Sequence, residues 1–244
     1  MIELGAGPAL VVIPGLPGPW RFVAGAARAL ASRFRVLTIS LGPECTIEDD
    51  VRRVAEGLQA RHVDRAVICG ISLGGLIALR FAATHPEKTT ALVLVSSPGP
   101  GATLAPRHRA YVRHPWLCGP LFLLETPFML GSELRWSHIA AAVSSPISFA
   151  TIARRATFIE TTDVAGDCRR VVSPTLVITG DEGRDRVVPV RSTLEYLRAI
   201  PGARHAVIAS TGHLGSITRP EEFAGIVSRF VDHALDGRHD GAVA

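Results

Sequence analysis

Several kinds of feature are missing from this sequence, and each absence removes a class of function. Although 47% of the 244 residues are hydrophobic, no uninterrupted apolar run approaches the ~18 to 20 residues that a membrane span needs, so no membrane association is expected. The opening, MIELGAGPALVVIPG, lacks a basic segment leading into an apolar stretch with a small-residue cleavage site; nothing marks it for export, and the cytoplasm is the expected compartment. Cysteine is scarce. Cys45, Cys69, Cys118 and Cys168 lie far apart with no C-x-x-C, which argues against a zinc or redox centre and predicts free buried thiols. Basic residues outnumber acidic ones by 26 to 22, for a formal charge of +4, but they are never gathered into the dense runs that track a phosphate backbone. Nucleic acid is therefore not an expected partner. Neither G-K-[ST] nor G-x-G-x-x-G is present to cradle nucleotide phosphates, no internal repeat or low-complexity tract occurs, and no cofactor or metal is expected. No heptad or obvious edge declares an oligomeric state.

What remains is an alternation of short β-rich runs and helix-like stretches. The runs ALVVI (9–13), FRVLTIS (34–40), RAVIC (65–69), ALVLVS (91–96), TLVIT (175–179) and HAVIA (205–209) are continuously apolar, as strands buried on both faces of a parallel sheet must be. Helical patterns lie near 20–32, 47–61, 73–84, 190–199 and 220–235. Thr46 with Asp49 resembles a capping box, and Pro220 followed by two glutamates suits a helical first turn. The expected fold class is α/β: a mostly parallel sheet with helices on both faces. The alternation breaks between about Gly99 and Val172, where Pro and Gly interrupt amphipathic pieces such as RWSHIAAAV and FATIARRATFIE. The expected organisation is a core of residues 1–98 and 173–244, a helical lid insertion at 99–172, and a frayed tail over the final DGRHDGAVA.

One stretch of this frame carries chemistry. In CGISLGGL, Ser72 stands between Gly70 and Gly74 at the point where a strand gives way to a helix, which is the pattern of a nucleophile elbow. The bend is so sharp that a Cβ at either flanking position would crowd its neighbours. It lifts the hydroxyl clear of the sheet at the strands' carboxyl ends and turns helix N-terminal amides toward the same space. An alcohol needs a base within reach and an acid to orient that base. Of nine histidines, His213 in STGHLG lies in a short loop between the last strand and the last helix, where Gly212 and Gly215 allow the chain to turn. His62, His85, His108, His114, His138, His205, His233 and His239 fall on helix ends, in the insertion, at a strand start or in the tail. The acid is expected after a late strand, in TLVITGDEGRDRVVPV. Asp185 is preferred because the following Arg-Val-Val-Pro makes a turn that could aim it at the histidine loop, and Asp181 stays open as the alternative. A developing oxyanion needs two donors. The Leu73 amide is one, and the prolines of IPGLPGP narrow the other to Gly15, Leu16 or Gly18, of which Leu16 is chosen.

With GISLGG, SPTLVITG to DRVVP, TGH and the order Ser, Asp, His in place, the chain resembles the α/β-hydrolase superfamily over nearly its whole length, in particular small lidded members similar to carboxylesterases, lactonases and cofactor-free haloperoxidase-like enzymes. The chain departs from the family's usual pattern in three places: Asp185 stands five positions after Gly180 instead of three, Pro14-Gly15 replaces His-Gly, and SLGP occupies a place where an aspartate is usual. Ser72 excludes the aspartate-nucleophile members. The apolar stretch WLCGPLFLLETPFMLG (116–131) is read as a roof over the site, with Trp116, Phe122 and Phe128 lining a pocket for a small hydrophobic substrate, or else as lid core. Arg107, Arg109 and Arg113 could attract a carboxylate but read as solvated surface. The expected function is a serine hydrolase of a small ester or lactone acting through an acyl-enzyme. The alternatives are a carbon–carbon bond hydrolase or lyase with the same triad, and a ligand-sensing protein with little turnover.

Overall fold

The computed structural model describes residues 1–42, 46–130, 133 and 148–239, except the side chains of 122, 123 and 235–239. The first half runs β1 (Ile2–Leu4), β2 (Ala9–Ile13), α1 (Ala24–Leu30), β3 (Arg35–Thr38), α2 (Ile47–Gln59), β4 (Ala66–Ile71), α3 (Gly74–Thr84) and β5 (Thr89–Val95). Four described helices then intervene: α4 (Pro106–Arg113), α5 (Pro115–Leu130), α6 (Phe149–Thr161) and α7 (Val164–Arg170). The sheet resumes with β6 (Thr175–Thr179), α8 (Val190–Ala199) and β7 (Arg204–Val207), and the chain closes with the short α9 (Gly215–Thr218) and α10 (Pro220–His239).

The strands form one sheet in the order β1-β3-β2-β4-β5-β6-β7. All pairings are parallel except that of β1 with β3. Because side chains alternate across a strand, each central strand feeds two cores. Val11, Ile13, Ile68, Leu92, Leu94 and Val177 pack with α2, α3, α7 and α8, whereas Leu10, Val12, Val67, Cys69, Val93 and Ile178 pack with α1 and α10. Burial on both faces explains the unbroken Val/Ile/Leu runs. It also fixes each strand, since burying one such side chain contributes about 1.5–3 kcal/mol.

Several elements differ from the sequence-based expectation. β1 has no apolar run to announce it; its three residues become a strand by pairing with β3, with Arg35 Nε donating to Glu3 Oε1 at 2.7 Å. α10 continues to His239, so part of the expected tail is helical, and residues 240–244 lie outside the described residues. α5 runs through Pro120 and Pro127, each of which removes one helix hydrogen bond. α7 packs on α3: Val164 and Cys168 join the core, and the fully buried Asp167 accepts two bonds from Arg80 Nε at 2.9 and 2.7 Å. Cys69 and Cys168 are buried free thiols whose pKa burial pushes up to about 12, and Cys118 is partly exposed. Cys45, His138 and the segment 135–143 lie outside the described residues.

The capping box at α2 is present. Asp49 N donates to Thr46 Oγ1 at 3.1 Å, and Thr46 N donates to Asp49 Oδ2 at 3.0 Å. Removing it leaves helix amides without an acceptor, so Thr46→Ala should lower stability by about 1 kcal/mol. Urea unfolding monitored by circular dichroism should give a lower midpoint with an unchanged slope. An unshifted midpoint would show that the cap contributes nothing.

Candidate active site

The parallel sheet brings distant parts of the sequence to one edge. The loops after β2, β4, β6 and β7 all leave from the carboxyl ends of neighbouring strands, and each carries one of the expected groups. Ser72 follows β4 with φ of 55°, a left-handed backbone that a serine adopts only when its surroundings impose it. They do so by bonding and by shape. Ser72 N donates to Val95 O at 2.7 Å at the end of β5, and Ser72 O accepts from Gly75 N at 2.9 Å as α3 begins. A Cβ on Gly70 would collide with the Gly74 carbonyl, and one on Gly74 with the carbonyls of Ile13 and Pro14. The glycines required by the bend are thus required by backbone, which cannot move aside.

His213 stands over the serine. Its Nε2 is 3.0 Å from Ser72 Oγ, and its Nδ1 is 2.9 Å from Asp185 Oδ2. The other carboxylate oxygen, Oδ1, accepts from the amides of Val187 and Val188 at 3.0 and 2.8 Å. Those bonds fix the carboxylate, and Asp185 and His213 are each only 7% exposed. An acceptor at Nδ1 places the proton there and leaves the Nε2 lone pair facing the hydroxyl, the tautomer that proton abstraction needs. Asp181 does different work. Its Oδ2 accepts from Ser210 N at 2.9 Å while its own amide donates to Thr211 O at 2.9 Å, so it ties the two loops together without reaching the imidazole. Other histidines are engaged elsewhere: His85 stacks on Phe81, and His205 contacts Thr179 Oγ1.

The loop after β2 lies against the serine, close enough that a Cβ on Gly15 would stand 3.1 Å from Ser72 Cβ. It turns through a bond from Gly18 N to Gly15 O at 2.9 Å. The Leu16 and Leu73 amides meet no acceptor among the described residues, so both are available to a ligand oxygen.

Two side chains of the insertion that sequence reasoning missed reach these loops. Arg155, 4% exposed on α6, donates from Nη1 to Leu16 O and Pro17 O at 3.0 and 2.7 Å and from Nη2 to Leu41 O and Gly42 O at 3.1 and 2.9 Å. Glu133 accepts from the amides of Gly212 and Leu214 at 2.8 and 3.1 Å, on either side of His213. The signal for Arg155 was its place between Ile152 and Ile159, three and four residues away on the apolar side of the helix. No comparable signal marks Glu133.

Of Trp116, Phe122 and Phe128, expected to line a pocket beneath the roof, two have described side chains. Trp116 and Phe128 are 71% and 76% exposed, so neither is enclosed above Ser72. α5 packs on α4 and α6, with Gly119 seated against the Phe149 ring and Trp116 meeting that ring edge-on at 6.3 Å. The side chain of Phe122 lies outside the described residues. Clefts of about 590 Å³ beside Met1 and Trp20, and of about 410 Å³ beside Arg109 and Glu160, include none of Ser72, His213 and Asp185.

Residues 10–226 match the model of the alpha/beta hydrolase family. The chain belongs to that family. Among similar alpha/beta hydrolases, the pimeloyl-[acyl-carrier protein] methyl ester esterase of Nitrosomonas europaea is 26% identical, over 90% of this chain and 94% of its own length. The 2-hydroxymuconate semialdehyde hydrolase of Pseudomonas putida is 30% identical over 72% of this chain and 66% of its own. In three dimensions the chain is similar to the enol-lactonase from Burkholderia xenovorans LB400, with a TM-score of 0.76 at 22% identity, covering 95% of each chain. Relatives of this kind make the chain a hydrolase. No group of three or more His, Cys, Asp and Glu side chains able to hold a metal ion occurs among the described residues, and no described helix is long and apolar enough to cross a membrane.

The two aspartates can be separated without any substrate. An imidazole N–H bonded to a buried carboxylate gives a strongly downfield proton resonance. That signal should persist in Asp181→Asn and disappear in Asp185→Asn. The opposite pattern would make Asp181 the partner of His213.

Proposed function

We propose that this alpha/beta hydrolase cleaves a small, hydrophobic ester or lactone through an acyl-enzyme formed on Ser72. The observation that carries the reading is the continuous relay from Ser72 Oγ through the His213 ring to Asp185, at 3.0 and 2.9 Å. Ser72 Oγ attacks the carbonyl carbon while His213 Nε2 takes its proton, and the resulting imidazolium is held by the Asp185 carboxylate. Charge then develops on the carbonyl oxygen, where the Leu16 and Leu73 amides are available, and each such donor contributes on the order of 10²- to 10³-fold to kcat. Collapse of the tetrahedral adduct breaks the bond to the leaving oxygen, which receives the proton from His213. Water, deprotonated by the same ring, releases the acid and restores Ser72.

The esterase and lactonase among its relatives favour an ester or lactone substrate. The Pseudomonas putida relative, a 2-hydroxymuconate semialdehyde hydrolase, favours a second reading in which the same three side chains serve cleavage of a carbon–carbon bond. Substrate profiling tests both. Short p-nitrophenyl esters, lactones, thioesters and vinylogous diketones should be assayed with the parent and with Ser72→Ala. Ester or lactone turnover should fall at least about 10⁴-fold in the variant, and intact-protein mass spectrometry should show an acyl adduct on the parent alone. Parent-like ester hydrolysis by Ser72→Ala contradicts the proposal, and turnover confined to the diketones favours the second reading.

A further inference from the structure

The insertion between β5 and β6 contributes two charged side chains that make no contact with the relay itself but hold both loops that flank it. Arg155 spends its two terminal nitrogens on four backbone carbonyls, two in the turn that carries the Leu16 amide and two in the loop after β3. The fit is close. Gly18 has φ of +93°, and a Cβ there would fall on Arg155 Nη1. A guanidinium placed out of water is retained at a cost unless its donors are used, and here four are used on the same short stretches of backbone. The buried Asp50 lies on the far side: it accepts from Gly42 N at 3.4 Å, and the Arg155 charge acts on its carboxyl. Glu133 makes the opposite contact on the other loop, where its two oxygens accept from the amides that precede and follow His213. The Leu214 amide belongs to the same peptide unit as the His213 carbonyl, so that bond fixes how the histidine leaves the chain.

We infer that Arg155 and Glu133 are positioning residues of the hydrolytic site, Arg155 for the oxyanion donor at Leu16 and Glu133 for the base at His213, so that the segment between β5 and β6 completes the active site. The inference rests on the serine-hydrolase reading above. Its physical basis is that oxyanion stabilisation and proton transfer depend on donors and acceptors fixed before the reaction, and a misplacement of about 1 Å can cost on the order of 100-fold. A clamp made of hydrogen bonds is also conditional. Without those bonds the carbonyls and amides of the two loops would be left to water, and the loops would lose their fixed geometry.

Arg155→Lys and Glu133→Gln test this, because each keeps most of the side chain's volume while removing the forked geometry or the charge. Three quantities are needed for folded protein, as judged by near-UV circular dichroism: kcat and KM for a p-nitrophenyl ester, the rate at which a fluorophosphonate adds to Ser72, and the downfield His213 N–H resonance. Arg155→Lys should lower kcat and the phosphonylation rate tenfold or more, leave KM within twofold, and preserve the resonance. Glu133→Gln should lower both rates similarly and broaden or shift the resonance. A purely structural role would lower the melting temperature without this split between kcat and KM. Gly18→Ala presses on the same guanidinium from the loop side and should reproduce the Arg155→Lys pattern, which keeps the test available if the arginine variant does not fold. Folded variants with kcat and phosphonylation within twofold of the parent overturn the inference. A parent that forms no adduct at Ser72 overturns the hydrolase reading instead, so the two failures are distinguishable.

Discussion

The site depends first on the left-handed backbone of Ser72, which is imposed from several directions at once. The serine amide is tied to the end of β5, its carbonyl begins α3, and the glycines on either side lie against carbonyls that no side chain could displace. A conformation of this kind costs of order 1–3 kcal/mol and persists only because the surrounding sheet over-determines it. In exchange, the hydroxyl stands free of its own backbone and within reach of a ring that arrives 141 residues later. The sheet makes that meeting possible, because β2 to β7 run parallel and bring their carboxyl ends to the same edge.

The second layer of the site holds by distribution of work among polar groups. One oxygen of Asp185 orients the imidazole and the other is fixed by two amides of its own loop, while Asp181 fastens that loop to the one carrying His213. Arg155 and Glu133 apply the same principle from outside the core, a cation on carbonyls and an anion on amides. The loops after β2, β6 and β7 are therefore held by charge-assisted bonds, and the Ser72 turn by neutral backbone bonds, while the Leu16 and Leu73 amides keep no acceptor among the described residues.

Much of this could be read from the residues, for identifiable reasons. The central strands declared themselves because burial on both faces demands unbroken apolar runs, and Ser72 did so because glycines at fixed offsets are the only residues the turn admits. His213 and Asp185 followed from their places after late strands; the extra two residues before Asp185 did not move it out of reach, since Val187 and Val188 recapture the loop. The failures share a cause. β1 exists by pairing with β3, the exposure of Trp116 and Phe128 depends on how α5 packs on α4 and α6, and the contacts of Arg155 and Glu133 span more than seventy residues. A charged residue in a helical stretch looks like solvated surface until its partners are known, and those partners here are backbone atoms, which leave no mark in a sequence.

The central claim is that the loops after β2, β4, β6 and β7 enclose one reacting carbonyl group. A crystal structure of the parent after reaction with a small alkyl fluorophosphonate tests it most directly. The account predicts a bond from phosphorus to Ser72 Oγ, with the phosphoryl oxygen about 2.7–3.1 Å from both the Leu16 and Leu73 amides and the His213 ring beside the ester oxygens. An adduct whose phosphoryl oxygen turns away from those amides, or a crystal in which Ser72 remains unmodified while another residue carries the label, would contradict it.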